Sequence, residues 1–143
     1  MGTAGVTLSR DADPSDAAPA SQPRDVRVWL RAEGLAAGIA GLLIYSWLGG
    51  QWLPLVVLLF LPYISMVGYL RDPRLGAQLY NLAHNWAVAL LVLGLGFLTG
   101  QTSLSIAGAI LVAHVGVDRL AGYGLKYPTS FADTHLGRIG RRR

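Results

Sequence analysis

The sequence predicts an all-α polytopic membrane protein, an antiparallel bundle of four transmembrane helices with short loops and a cytoplasmic C-terminal surface segment. Hydrophobic residues make up 52% of the 143-residue chain and charged residues only 14%. A soluble domain usually carries about 25% charged residues, so this chain has too few charges to coat a water-facing surface. The basic residues flank long apolar runs, as in membrane proteins. The absence of cysteine excludes disulfides, thiolate metal sites and a cysteine nucleophile.

Four stretches are expected to cross the bilayer, because about 20 helical residues span a hydrocarbon core of about 30 Å. The predicted spans are approximately 26–48, 52–70, 75–98 and 103–120. The second and third contain no charged residue, whereas the first and fourth are shorter uncharged runs extended past flanking charges. Arg27 and Arg31 are expected to reach back to the interface from the first span. Pro62 lies inside the second span and is expected to kink it, freeing a backbone carbonyl.

The placement of basic residues predicts the orientation. Loops one and three contain none, and Arg71 and Arg74 lie in loop two. The remaining basic residues lie before or at the start of span one, or from Arg119 onward. The positive-inside rule then places both termini on the cytoplasmic side of the inner membrane.

The domain organisation follows from the same pattern, with residues 25–120 as the transmembrane domain. Residues 1–24 are rich in Ala, Ser, Asp and Pro and are predicted to be a disordered cytoplasmic tail. Residues 121–143 contain aromatic residues, glycines and a proline, and are predicted to form an ordered interfacial tail. The arginines at 141–143 are expected to favour anionic inner-leaflet lipids. The bilayer is therefore the predicted partner; nucleic acid is not, and no oligomeric state is predicted.

Polar residues concentrate in the halves of the spans assigned to the cytoplasmic side. Ionisable groups inside a membrane are costly and usually mark a functional site. His114 and Asp118 are four residues apart and share a helix face. If this face meets the polar stripe of span three, a cytoplasm-facing pocket forms between helices three and four. The candidate pocket residues are Glu33, Asn81, His84, His114, Asp118, Arg119, Tyr123, Lys126 and His135.

Three functions fit this pattern. The pocket binds a small polar ligand or a lipid headgroup, or the chain is a membrane enzyme in which Asp118 orients His114 as a general base. In the third hypothesis the chain is a structural or partner subunit, and the polar residues only stabilise helix packing. Neither helical ExxH pairs nor HExxH occurs, so the sequence predicts no metal site and no cofactor. Gly34 and Gly38 form a small-xxx-small pair, which favours close helix packing.

The most distinctive string is AHVGVDRLAGYGLKYPTSFADTHLGRIG at residues 113–140. Shorter strings are RAEG from Arg31, SMVGYL from Ser65 and LYNLAH from Leu79. Through these strings the chain resembles, over roughly residues 27–140, the small bacterial membrane proteins known as domain of unknown function 4260. The resemblance implies a four-helix membrane protein and no particular activity. The family pattern often has an acidic residue at the position where this chain has Tyr63. The resemblance therefore does not support, for this chain, a mechanism that needs a carboxylate on the second helix.

Overall fold

The computed structural model describes residues 22–140. Most of the predicted disordered tail at residues 1–24 lies outside the described residues, as do the arginines at 141–143. Within residues 22–140, four helices are long and apolar enough to cross a membrane. This confirms the predicted number of spans and the mostly helical fold.

The helices and strands follow one another in a simple order. They are α1 (Arg24–Trp47), α2 (Trp52–Phe60), a 3₁₀ segment (Leu61–Leu70), α3 (Pro73–Ala83), α4 (Trp86–Thr99), α5 (Thr102–Ala121), β1 (Asp133–Thr134) and β2 (Gly137–Arg138). Span one is α1, and span four is α5. Span two consists of α2 and the 3₁₀ segment, and span three consists of α3 and α4. The strands β1 and β2 pair antiparallel in the C-terminal tail.

The helix α5 lies at the centre of the bundle. The apolar part of α5 is 61% buried, against 17–22% for the other three spans. Both α1 and α4 pack against α5. Large apolar side chains of the other spans face outward, and Leu53 and Leu70 are 87% exposed. Such an apolar exterior suits hydrocarbon rather than water.

Small residues bring α1 into close contact with α5. A Cβ atom added at Gly34, Gly41 or Gly116 would lie closer than 3.0 Å to the backbone of the opposing helix. In a membrane, small residues favour helix association because they let two backbones approach and gain van der Waals contact. The pair Gly34 and Gly38, singled out by its spacing, faces the stretch of α5 around Gly116.

Span two changes from α to 3₁₀ geometry at its midpoint. The 3₁₀ segment contains 10 residues, although runs longer than 3–4 residues are uncommon. Pro62 stands near its start and has no N–H to donate. The carbonyl of Leu59 lies three residues before Pro62, and it accepts a hydrogen bond of 2.6 Å from His114 Nδ1. The predicted distortion at Pro62 therefore provides a backbone acceptor for a side chain of α5.

The 3₁₀ segment also explains which side chains of span two face outward. Because a 3₁₀ helix has three residues per turn, side chains three apart lie above one another. The residues of this segment whose exposed fraction is above one half lie three apart and form one ridge, namely Leu61, Ile64, Val67 and Leu70. The polar residues between them, Tyr63 and Ser65, consequently face the bundle side.

Span three is interrupted at His84 and Asn85, where the sequence predicts one continuous helix. The side chain of Asn85 caps α4 by accepting a hydrogen bond of 2.8 Å from the N–H of Ala87. The carbonyl of His84 accepts a hydrogen bond of 3.1 Å from Arg119 Nη2. Irregular backbone at membrane depth is tolerated only where protein or water satisfies its polar groups, and here Arg119 does so.

The C-terminal tail turns back and is fixed to α3. Gly122 ends α5 in the left-handed conformation, with φ of 95°. The side chain of Asn81 then pairs with the backbone of Lys126, since Nδ2 donates to the carbonyl at 2.9 Å and Oδ1 accepts from the N–H at 2.6 Å. In the hairpin, Arg138 donates to the Asp133 carboxylate at 2.9 Å.

The glycine contact between α1 and α5 can be tested with a single methyl group. We expect Gly116→Ala to lower the free energy of unfolding in detergent by about 1–3 kcal/mol, because the methyl group meets backbone that cannot move aside. Gly94→Ala is the matched control, since its Cβ has nothing within 4 Å. In the helix interior that change should be neutral or stabilising by up to about 1 kcal/mol. Equal melting temperatures for the two variants would contradict the proposed contact.

Candidate functional site

Two histidines and an aspartate converge inside the bundle. The ring nitrogens of His84 and His114 and the carboxylate of Asp118 lie within 4.8 Å of one another. The three residues are 0%, 3% and 1% exposed, respectively. The interruption of span three positions His84, whereas α5 presents His114 and Asp118 one turn apart. We refer to these three residues as the buried centre.

Two tyrosines satisfy the carboxylate of the buried centre. The hydroxyl of Tyr63 donates to Asp118 Oδ1 at 2.6 Å, and the hydroxyl of Tyr80 donates to Oδ2 at 2.9 Å. A buried charge without hydrogen bonds would be very costly, and bonds to a charged acceptor are stronger than neutral ones. The two tyrosines therefore supply much of the stabilisation that water would otherwise provide.

Backbone carbonyls determine the proton positions on both histidine rings. His84 Nδ1 lies 2.8 Å from the carbonyl of Tyr80, and His114 Nδ1 lies 2.6 Å from that of Leu59. A carbonyl oxygen only accepts, so each Nδ1 carries a hydrogen and each neutral ring presents an unprotonated Nε2. The two Nε2 atoms lie 3.6 and 3.8 Å from Asp118 Oδ2. Neither Nε2 atom has a hydrogen-bond partner among residues 22–140.

Arg119 lies beside the buried centre and is itself buried. Its guanidinium donates to the carbonyls of Tyr123 and His84, one after the end of α5 and one at the interruption of span three. Both acceptors are neutral, and an arginine remains cationic in a protein. Arg119 therefore links three parts of the backbone and places a positive charge next to Asp118.

The ammonium group of Lys126 is enclosed by aromatic rings of the tail and α3. Lys126 Nζ lies 4.0 Å from the ring centre of Phe131 and 5.0 Å from that of Tyr80. It also donates to the carbonyl of Phe131 at 2.9 Å, and the residue is 4% exposed. Burial lowers the pKa of Lys126 to about 8, although the charge of Asp118 acts in the opposite direction.

A groove of about 550 Å³ lies beside α5, where α1 and α4 flank it. Its lining is mostly apolar and comprises Leu30, Glu33, Gly34, Ala37, Ala40, Ile44, Trp86, Leu90, Leu93, Val112, Arg119, Leu125 and His135. Glu33, Arg119 and His135 are the ionisable members. His135 Nδ1 accepts a hydrogen bond of 2.8 Å from the N–H of Leu125, so the neutral ring carries its hydrogen on Nε2. Burial lowers the pKa of His135, which favours that neutral ring.

A family model described as "Domain of unknown function (DUF4260)" matches residues 27–139. The chain belongs to this family. The match confirms the resemblance drawn from the strings at residues 113–140 and elsewhere. It includes every residue of the buried centre and of the groove. No curated protein and no solved structure matches the chain.

The nine predicted site residues of this DUF4260 chain fall into three groups. His84, His114 and Asp118 form the buried centre, and Glu33, Arg119 and His135 line the groove. The other three belong to the contact between the tail and α3. Asn81 pairs with the backbone of Lys126, and the ring centre of Tyr123 lies 5.9 Å from Lys126 Nζ.

Sequence reasoning missed the role of two tyrosines. Tyr80 is not among the candidate residues taken from the sequence, yet it is 2% exposed and its hydroxyl donates a hydrogen bond to Asp118. The useful signal was its spacing, because Tyr80 stands four residues before His84 on one helix face. Tyr63 occupies the position at which the DUF4260 pattern often has an acid, and in this chain it donates a hydrogen bond to the carboxylate of α5.

The titration of Lys126 gives a pH-dependent prediction. Because the fold holds the pKa at about 8, below the ordinary value of 10.5, the unfolded chain binds more protons between these pH values. The free energy of unfolding should therefore rise with pH across this window, by about 1–3 kcal/mol at roughly 1.4 kcal/mol per pKa unit. We expect wild type to gain stability relative to Lys126→Met between pH 7 and pH 10.5 in detergent.

The chain contains one lysine, so the same titration can be followed without assignment ambiguity. Nitrogen-15 NMR of the Lys126 side chain should show a midpoint near pH 8. A midpoint at 10.5, together with parallel stability profiles for wild type and Lys126→Met, would show that the ammonium is not enclosed in the folded protein.

Proposed function

We propose that this chain is an inner-membrane protein that binds one phospholipid in the groove beside α5. The headgroup lies near Glu33, Arg119 and His135, and an acyl chain follows the apolar wall. The observation that carries the proposal is the distribution of polarity along the groove, which is apolar for most of its length and charged at one end. This deepens the sequence-based hypothesis of a lipid-headgroup site and transfers it from spans three and four to the groove.

The orientation of the bundle supports the headgroup assignment. The connections after α1, after the 3₁₀ segment and after α4 are short, which favours antiparallel neighbouring spans. Basic residues collect in the first two turns of α1, around the connection between spans two and three, and from the last turn of α5 onward. By the positive-inside rule, this end of the bundle and both termini face the cytoplasm. The charged end of the groove then lies at the depth of inner-leaflet headgroups.

The apolar part of the groove is long enough for most of an acyl chain. Beyond Glu33 the lining on α1 runs from Gly34 to Ile44, which corresponds to about 15 Å of helix. Trp86 and Leu90 form part of the opposite wall on α4. The volume of about 550 Å³ lies within the usual range of ligand sites, roughly 300–1,000 Å³.

The polar end of the groove matches a phosphate-bearing headgroup. Arg119 brings a permanent positive charge, and its hydrogen bonds run to neutral carbonyls rather than to a carboxylate. The neutral ring of His135 adds an N–H donor at Nε2. Glu33 adds an acceptor that suits the ammonium or hydroxyl groups of common phospholipid headgroups. The groove therefore offers two hydrogen-bond donors and one acceptor. A phospholipid headgroup can satisfy all three, whereas the carboxylate of a fatty acid has no donor for Glu33.

The alternative enzyme hypothesis, with His114 as a general base, has less support. Its Nδ1 is bound to the carbonyl of Leu59, and its Nε2 faces Asp118 inside the bundle. His114 is not among the residues that line the groove. A substrate in the groove would therefore not meet the basic nitrogen of that ring.

Filling the groove provides the test. We expect Ala37→Phe to reduce phosphatidylglycerol or phosphatidylethanolamine binding at least tenfold, because Ala37 lines the groove and the added ring occupies the path of the acyl chain. Ala36→Phe is the matched control, since Ala36 is exposed and not among the groove residues. Native mass spectrometry would count lipids retained per chain, and melting curves with added lipid would report stabilisation.

Two outcomes would decide against the phospholipid. Equal lipid retention and equal melting shifts in Ala37→Phe and Ala36→Phe would show that the groove is not the binding site. A change from monomer to dimer that depends on Ala37 would instead identify a second copy of the chain as the occupant. Glu33→Gln should alter the preference between phosphatidylethanolamine and phosphatidylglycerol without abolishing binding, because it removes the charge that favours the ammonium.

A further inference from the structure

We propose that His84, His114 and Asp118 bind one divalent transition-metal ion through the two Nε2 atoms and the carboxylate. The proposal concerns the buried centre and goes beyond lipid binding in the groove. The sequence lacks the helical motifs used to recognise metal sites, so the absence of a metal was the sequence-based expectation. The spatial arrangement of the three side chains leads to the opposite inference.

Three electron-pair donors face one another in the buried centre. The backbone carbonyls of Tyr80 and Leu59 hold the hydrogens on Nδ1, which leaves a lone pair on each Nε2 of the neutral rings. Both lone pairs point toward a carboxylate, which also only accepts. Buried acceptors in mutual contact are unfavourable unless a positive group lies between them. A metal cation satisfies all three at once.

The distances between the donor atoms are also closer to those of metal ligands than to those of hydrogen-bonded groups. The separations of 3.6 and 3.8 Å between Nε2 atoms and Asp118 Oδ2 are too long for hydrogen bonds, which measure about 2.7–3.2 Å. Two ligands of one tetrahedral zinc ion, each about 2.0–2.1 Å from the metal, lie about 3.3 Å apart. The two Nε2–Oδ2 separations therefore differ from a coordination edge by only a few tenths of an ångström. The three ligand atoms together lie within 4.8 Å of one another, so the two rings would move closer when an ion binds.

Hydrogen bonds with neighbouring groups hold all three ligands in place. Metal-binding histidines usually donate their other N–H to a carbonyl or carboxylate, which fixes the ring and its tautomer. Both rings do so here, and the two acceptors come from irregular or helix-end backbone. The carboxylate is held by the hydroxyls of Tyr63 and Tyr80. The ring of Tyr80 also stacks on His84, with ring centres 3.7 Å apart.

The donor set selects the class of metal. Two imidazoles with one carboxylate suit Zn²⁺, Fe²⁺ and neighbouring first-row ions, whereas Mg²⁺ and Ca²⁺ prefer oxygen ligands. Three protein ligands are the number found in many catalytic zinc sites, in which water or substrate completes the coordination.

Metal content of the purified protein provides the test. Protein carrying a tag without histidines would be stripped with a chelator, then loaded separately with Zn²⁺, Co²⁺ and Fe²⁺ under anaerobic conditions. We expect about one ion per chain by elemental analysis, a rise in melting temperature, and a Co²⁺ visible spectrum typical of nitrogen and oxygen ligands. His84→Gln and His114→Gln should reduce the bound metal at least tenfold, while His135→Gln should retain it.

All three variants replace a histidine with glutamine, so His135→Gln shows whether losing a histidine outside the buried centre also reduces the bound metal. If His84→Gln or His114→Gln does not fold, wild-type protein decides the question through its metal content and X-ray absorption at the metal edge. Less than a tenth of an ion per chain with all three metals would overturn the proposal. Metal that survives in both variants and disappears in His135→Gln would also overturn it. Loss of lipid binding in Ala37→Phe leaves these outcomes unchanged, so the two proposals fail separately.

Discussion

The burial of the Asp118 carboxylate is the constraint on which the arrangement of this bundle depends. A charge inside a membrane domain must be stabilised by protein groups, because the surrounding hydrocarbon cannot stabilise it. Tyr63 and Tyr80 approach it from two different spans, and His84 and His114 surround the remaining side. Residues that lie far apart in sequence are thereby held at one point. Removing either tyrosine hydroxyl would leave a carboxylate oxygen poorly satisfied, which is strongly destabilising for a buried charge.

The irregular stretches of spans two and three serve this same point. The transition near Pro62 provides the carbonyl of Leu59 for His114, and the interruption at His84 provides a carbonyl for Arg119. In both cases the donor belongs to α5, which remains regular and is held against α1 by small residues. The bundle therefore combines one rigid central helix with two neighbours whose backbones are adapted to its side chains. Polar backbone of this kind is stable at membrane depth because protein groups satisfy it.

The composition and the uncharged runs were sufficient to predict the four spans, since length and hydropathy are the main requirements for crossing a bilayer. Pro62 predicted a distortion, because a missing N–H is a local property. The break at His84 was not predictable in the same way, since neither proline nor glycine stands there and the break depends on the contact with Arg119. The inward position of Tyr80 also depends on a partner elsewhere in the chain.

The sequence offered candidate residues for the site but not their grouping in space. Depth along the spans led to His84, His114 and Asp118 as candidates, because ionisable residues at such depth are uncommon. Depth gave no reason to separate them from Glu33, which lies beside a groove that exists only because α1 and α4 flank α5. Which helices become neighbours is decided by tertiary packing, and for α1 the deciding contact involves backbone atoms behind glycines.

The 3₁₀ segment of span two affects how the protein fits the thickness of its membrane. The span has 19 residues, the fewest of the four, and as a regular α-helix it would extend about 28 Å. Its 10 residues of 3₁₀ helix rise about 2.0 Å each, which lengthens the span to about 33 Å. The added length lets the span with the fewest residues cross a hydrocarbon core of about 30 Å, which a regular α-helix of the same residues would fall just short of.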